Sequence, residues 1–162
     1  MSVKKNEKTL TPTIRQCIHF VNAVDELKSR GGFYFRLAIA SLTMEAKRRV
    51  EIFNEHQKPS KGITSFQEEI KLHRENCTTE KDGKKTVDTT AFMVLYEEAN
   101  MKHAKAIADA EKLQETANKA LEDTVEIYCK PITMELLQEA DNEEKFSAML
   151  FAALLPFVEQ KD

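Results

Sequence analysis

Residues 121–137 read LEDTVEIYCKPITMELL. Thr124, Val125, Ile127 and Tyr128 are β-branched or aromatic residues suited to a strand, and Pro131 closes the run. More than thirty residues of helix-like sequence precede it, and a lone strand is not stable. Two partners are open. GKKTV at 83–87 is the local candidate, reachable only if the intervening helix is bent, broken or short. Otherwise the edge at 125–128 pairs with a second copy or with a different protein, by strand addition.

Upstream of that stretch, the apolar spacing from about 88 to 121 predicts one long helix with Phe92, Leu95, Ala99, Ala106, Ala110, Leu113, Ala117 and Leu121 as its seam. Such a helix would be about 50 Å long at 1.5 Å per residue. Its alanines invite close approach by a neighbouring helix. Before it, CTTEKDGKKTVDTT at 77–90 centres on Asp82-Gly83, the preferred corner of a two-residue hairpin. A shorter helix is expected at 64–75, with Phe66 and Ile70 inward, after the turn KPSKG at 58–62.

A second helix, about 33 to 57, places Phe35, Ile39, Leu42, Ala46, Val50 and Phe53 at steps of three and four, with the opposite face read as charged. The first helix is expected from Thr11-Pro12, with Ile14, Ile18, Val21, Val24 or Ala23, and Leu27 on one side, and Gly31-Gly32 ends it. Residues 1–10 read as a flexible polar arm. These segments predict an antiparallel helical hairpin, 33–75 against 88–121, within one domain over 11–132.

Downstream, 133–140 is a short helix, and Asp141 through Glu144 reads as a capping box for the last helix. There Phe146, Met149, Leu150, Leu154 and Phe157 form a stripe that Phe151 and Leu155 broaden. A helix apolar on so much of its circumference plugs the core or docks on another chain. The C-terminal segment 133–162 is accordingly expected to pack on the domain or on a partner.

The totals agree with a mainly α chain carrying a short β element around 84–87 and 124–129. In 162 residues there are four Gly, four Pro and no Trp, 41% hydrophobic residues and 31% charged ones, which disfavours a Gly- and Pro-rich all-β fold. Cys17, Cys77 and Cys129 are odd in number and far apart, so neither a disulfide framework nor a zinc knuckle is indicated. No run reaches the length a membrane span needs, and MSVKKNEKTL has no apolar signal core. A cytoplasmic or virion location is expected. The net charge of −3 hides an asymmetry: residues 1–90 hold 17 Lys+Arg against 12 Asp+Glu, and 91–162 hold 7 against 15. The two halves attract each other, within a chain or between copies. No dominant basic face with interleaved aromatics is present, so nucleic acid is not the expected partner.

Simple catalytic patterns are missing. No E-x-x-E, E-x-x-H, H-E-x-x-H, C-x-x-C, G-x-S-x-G or phosphate-loop run occurs. Glu69, His73 and Cys77, each four apart, could offer three ligands on one helical face, against the commoner reading of a surface ion pair with a capping cysteine. Cys17 and His19 are two apart and fall on different faces. Arg36, Arg48 and Arg49, with Lys47 beside them, could take phosphate or carboxylate groups, or pair with Glu97, Glu98, Glu111 or Glu115 across the hairpin.

Three quoted runs also resemble a group of small helical proteins encoded by tailed bacteriophages: LKSRGGFYFRLAIASLTMEAKRRVEIFNEHQK at 27–58, EKDGKKTV at 80–87 and LEDTVEIYCKPI at 121–132. The shared features are an R-x-x-I-x-x-x-x-x-E run on a basic helix, a K-D-G-K turn, a long acidic helix and an E-[TD]-x-V-E-I strand. The resemblance covers about two thirds of the chain and implies a virion-associated or accessory role without assigned chemistry. The expected function is therefore a non-enzymatic interaction or assembly protein, without cofactor, that binds itself or another protein. Its surface would use Val125, Ile127, Tyr128, Phe146, Met149, Leu150, Leu154 and Phe157. The alternative is a binder of small nucleotide signals, with Arg36, Arg48, Arg49, Lys71 and Arg74 as phosphate clamps and Tyr34 or Tyr96, with Phe33, stacking a base.

Overall fold

The structure, a computed structural model, describes residues 8–81, 83–143 and 145–159. Its described elements are seven α-helices, a closing 3-10 turn and two small two-stranded sheets, a mainly α architecture as the composition implies. The chain divides into two compact units. One is built from 1–56 together with 118–162, and the other is the insertion 57–117. The units are cut differently from the expected 11–132 domain with its C-terminal segment: the last helix belongs to the same unit as the first two, and of the expected hairpin of 33–75 against 88–121 the helix Lys61–Asn76 packs on Thr89–Lys102 inside the second unit.

In the first unit, Lys8–Leu10 (β1) is the partner that the VEIY stretch requires. It pairs antiparallel with Ile127–Cys129 (β4), Leu10 opposite Ile127 and Thr9 opposite Tyr128. The expectation of a flexible arm over 1–10 is thus corrected at 8–10, and its remainder, 1–7, lies outside the described residues. Neither GKKTV nor a second copy is needed to complete the strand. The pairing continues as a bridge between Thr13 and Thr124, and the Val125 N–H donates to the Pro12 carbonyl at 2.8 Å.

Ile14–Leu27 (α1) begins at Thr13, whose side chain accepts from the Gln16 N–H while the Gln16 side chain returns the bond. The free N–H groups of its first turn donate to the Leu121 and Asp123 carbonyls, at 2.9 and 3.1 Å. Gly31 (φ +66) turns the chain back, and a Cβ there would meet Ala140 Cβ at 2.8 Å. Phe33–Glu55 (α2) then packs along α1. Met134–Glu143 (α6) and Ala148–Leu154 (α7) close over the pair, followed by the 3-10 turn Leu155–Phe157. Phe20, Leu27, Phe35, Ile39, Leu42, Ile127, Ile132, Leu137, Leu154 and Phe157 form the centre of one core, and the Phe20 and Phe157 rings lie 5.1 Å apart.

The expected capping box of the last helix is not what starts it. Asp141 lies inside α6, where its carboxylate accepts from the Phe146 N–H at 2.8 Å and from Lys145 Nζ at 2.9 Å. Those bonds hold the Asp141 carboxyl below its ordinary value, the Phe146 N–H contributing most. Ser147 caps α7 instead, through the Leu150 N–H. Glu144 lies outside the described residues.

In the second unit, Lys61–Asn76 (α3) starts at Ser60 and leads into the hairpin Thr78–Lys81 (β2) and Lys84–Val87 (β3). Gly83 at its corner has φ +73, as the Asp-Gly reading requires. Asp88 caps the next helix through the Ala91 N–H. The single helix expected over 88–121 is two, Thr89–Lys102 (α4) and Ala104–Ala120 (α5), interrupted at His103. At the interruption the apolar seam lapses as well: between Ala99 and Ala106 the chain has Lys102-His103, both bound to Glu69 on α3. The alanine-rich seam does admit close approach, since a Cβ at Gly62 of α3 would lie 2.8 Å from Ala106 Cβ.

Candidate functional site

Stepping around α2 at 100° per residue puts Phe35, Ala38, Ile39, Leu42 and Ala46 on the buried face. On the opposite side lie Phe33, Tyr34, Leu37, Met44 and Ile52, exposed to 67, 71, 37, 74 and 46%. Ala40 is exposed among them. This face was expected to be charged; it is an apolar stripe from Phe33 to Met44 that passes into a mixed-charge last third, with Lys47, Arg48, Glu51 and Glu55 all exposed. Phe33 and Tyr34 stack edge to face at 5.5 Å, an aromatic pair already assembled at the other end. The signal was present in the sequence, because Phe33, Leu37, Ala40 and Met44 repeat at four, three and four.

The surface expected at the C-terminal helix and β4 is mostly core. Ile127, Leu150, Leu154 and Phe157 are at most 3% exposed, and Val125 and Phe146 pack against them. Arg30 caps the Phe146 ring at 5.4 Å from its centroid. Only Tyr128 and Met149 of that set are exposed. The physical reason is length: α7 has seven residues, so its apolar residues and Phe157 of the 3-10 turn that continues it are taken up by the core beside α1. Between α1 and α7 runs a groove of about 500 Å³, with His19, Asn22 and Glu26 on one wall and Ser147, Met149 and Ala153 on the other.

The residues of the expected anion site fall in both units. Arg36, Arg48, Arg49 and Tyr34 belong to the first unit, and Lys71, Arg74 and Tyr96 to the second. Arg49 is committed to the fold, its Nη2 donating to the Glu126 carbonyl at 2.7 Å beside β4. Tyr128 donates to the Glu126 carboxylate at 2.7 Å, which raises the phenol's pKa. Tyr96 is half-buried between Phe66 and Phe92. Lys71 and Arg74 do converge, with Lys85, on an open hollow of about 440 Å³, where Glu75, Glu80 and Thr78 also line the wall.

The Glu69, His73 and Cys77 trio does not assemble as ligands. His73 Nε2 stands 3.6 Å from Glu69, but the carboxylate is taken by Lys102 Nζ at 2.9 Å and His103 Nε2 at 2.8 Å. Those two donors, Lys102 first, hold the Glu69 carboxyl far down, at about 2. Cys77 is buried at the end of α3, and among the described residues no cluster of three or more His, Cys, Asp or Glu could hold a metal ion. Cys17 is fully buried; desolvation pushes its thiol up to about 11 although Arg49 acts in the other direction. The thiol is therefore protonated and unsuited to nucleophilic attack.

Compared with known proteins, the chain matches no family model, and no curated protein or solved structure is significantly similar to it. Among the described residues, no helix is long and apolar enough to cross a membrane.

Proposed function

We propose that this is a non-enzymatic interaction or assembly protein, a virion-associated or accessory component of a tailed bacteriophage, whose working surface is the outer face of α2. The observation that carries the reading is that Phe33, Tyr34, Leu37, Met44 and Ile52 are exposed along one helix whose other face is already in the core. Contiguous apolar surface of this kind is kept on proteins that bind other proteins. The phage context rests on the runs at 27–58, 80–87 and 121–132.

Site-specific photo-cross-linking in the source cell tests it. A photoreactive residue at Met44 should give discrete protein adducts, whereas one at the exposed Gln67 on α3 should give none. Equal labelling at both positions, or none at either, overturns the reading.

A second reading, a binder of small nucleotide signals, is favoured by one observation: Lys71, Arg74 and Lys85 line the same hollow. The acidic Glu75 and Glu80 in that wall weigh against a dianionic ligand. A thermal-shift screen with cyclic and linear nucleotides separates the two readings, a shift lost in Arg74→Ala supporting the second.

A further inference from the structure

The geometry points to a second copy of this chain as the occupant of the α2 stripe, docked antiparallel with its two-fold axis beside Ser41. This inference rests on the interaction reading above and names its partner. Along the stripe, one end is aromatic, with Phe33 and Tyr34 exposed as a preformed pair, and toward the other Arg48 is exposed, one turn before the exposed Glu51 and two before the exposed Glu55. Tyr34 and Arg48 lie on the same flank, 14 residues or close to four helical turns apart, and Ser41 is midway between them. Reversing a copy about Ser41 therefore sets the guanidinium of Arg48 at the Tyr34 ring at both ends of the contact, a pair of cation–π contacts made twice by symmetry. A parallel copy would set aromatic against aromatic and cation against cation.

The seam fits the same axis. Leu37 of one copy falls opposite Met44 of the other, on either side of the dyad, while Ala40 and Ser41 occupy the centre and let the helices approach closely. The stripe exposes on the order of 500 Å² per copy, given that a large side chain presents about 150–250 Å² in full. Two copies would bury about 1,000 Å², the lower end for a specific interface, so the dimer should be weak and concentration-dependent.

Light scattering on the purified full chain should show monomer passing to dimer as concentration rises. Met44→Glu should weaken association by at least about tenfold, and Tyr34→Ala and Arg48→Ala each by about threefold to tenfold. These residues are exposed, and unchanged circular dichroism would show that each variant folds. Orientation is read by oxidation: the native cysteines are buried, so Ser41→Cys should give a disulfide-linked dimer and Glu51→Cys should not. Linkage at both positions overturns the antiparallel arrangement, and a dimer indifferent to Met44→Glu overturns the surface. A strict monomer that still cross-links through Met44 to a different protein overturns this inference and leaves the interaction reading standing. A strict monomer with no such adduct overturns both.

Discussion

Glu69 in the second unit accepts hydrogen bonds from Lys102 and His103 while His73 stands at 3.6 Å. In the sequence it suggested a metal ligand, because spacing on its own helix was visible and the residues of α4 were not. The carboxyl is held near 2, below its ordinary 4.5, by partners that exist only in the fold. A depressed folded pKa means stability that is fully present above the unfolded value and is lost as pH falls through the folded one. Melting followed from neutral to acid pH should therefore show the second unit weakening from about 4.5 toward about 2. Glu69→Gln should melt lower near neutrality and show a flatter acid dependence over that window. Parallel curves for the two proteins would mean that the pair contributes nothing to stability, as exposed ion pairs often do.

Among the elements, those defined by local periodicity and caps were legible: α1, α2, α3 and the hairpin at Gly83 fall within a few residues of the sequence reading. What was not legible depended on partners remote in sequence. The VEIY strand finds Lys8–Leu10, more than a hundred residues upstream, and three residues carry too weak a β signal to be recognised in a polar leader. The outer face of α2 was not legible because Arg36 falls between Phe33 and Leu37 and Lys47-Arg48 follow Met44, so the apolar repeat at 33, 37, 40 and 44 is short and flanked by charge. The break at His103 was hidden because helix periodicity survives a single polar gap. The new strand pairing can be tested directly. Replacing Lys8, Thr9 and Leu10 by glycine removes the β preference of β1 and the Leu10 side chain that packs on the core, and should cost about 2–3 kcal/mol in denaturant unfolding. An unchanged midpoint would show that β4 does not depend on β1.

Across the whole molecule, the charge asymmetry takes a different meaning once the units are known. Residues 1–56 hold 10 Lys+Arg against 6 Asp+Glu and residues 118–162 hold 4 against 10, a balance of +4 meeting −6 inside one unit. The insertion 57–117 holds 10 against 11 and is near neutral by itself. Opposite charge thus accompanies the two separated pieces that must find each other, with Arg15 and Glu122 in contact at 2.6 Å between them. The cores differ as well. The first unit has a contiguous cluster centred on Phe20, Phe35, Ile39, Ile127, Leu154 and Phe157, whereas Cys77, Ala99 and Ala117 are the buried apolar residues described in the second. Phe66, Ile70, Leu95 and Ile107 there are only half-buried. Amide protection follows the free energy of local opening, which is low where few apolar contacts must be broken. Hydrogen exchange should therefore be slowest in α1 and α2 and at least about tenfold faster in α3, α4 and α5, the factor that 1.4 kcal/mol of lower opening energy produces. Uniform protection along the chain would mean that the insertion opens only when the first unit does, which its sparse core does not by itself require.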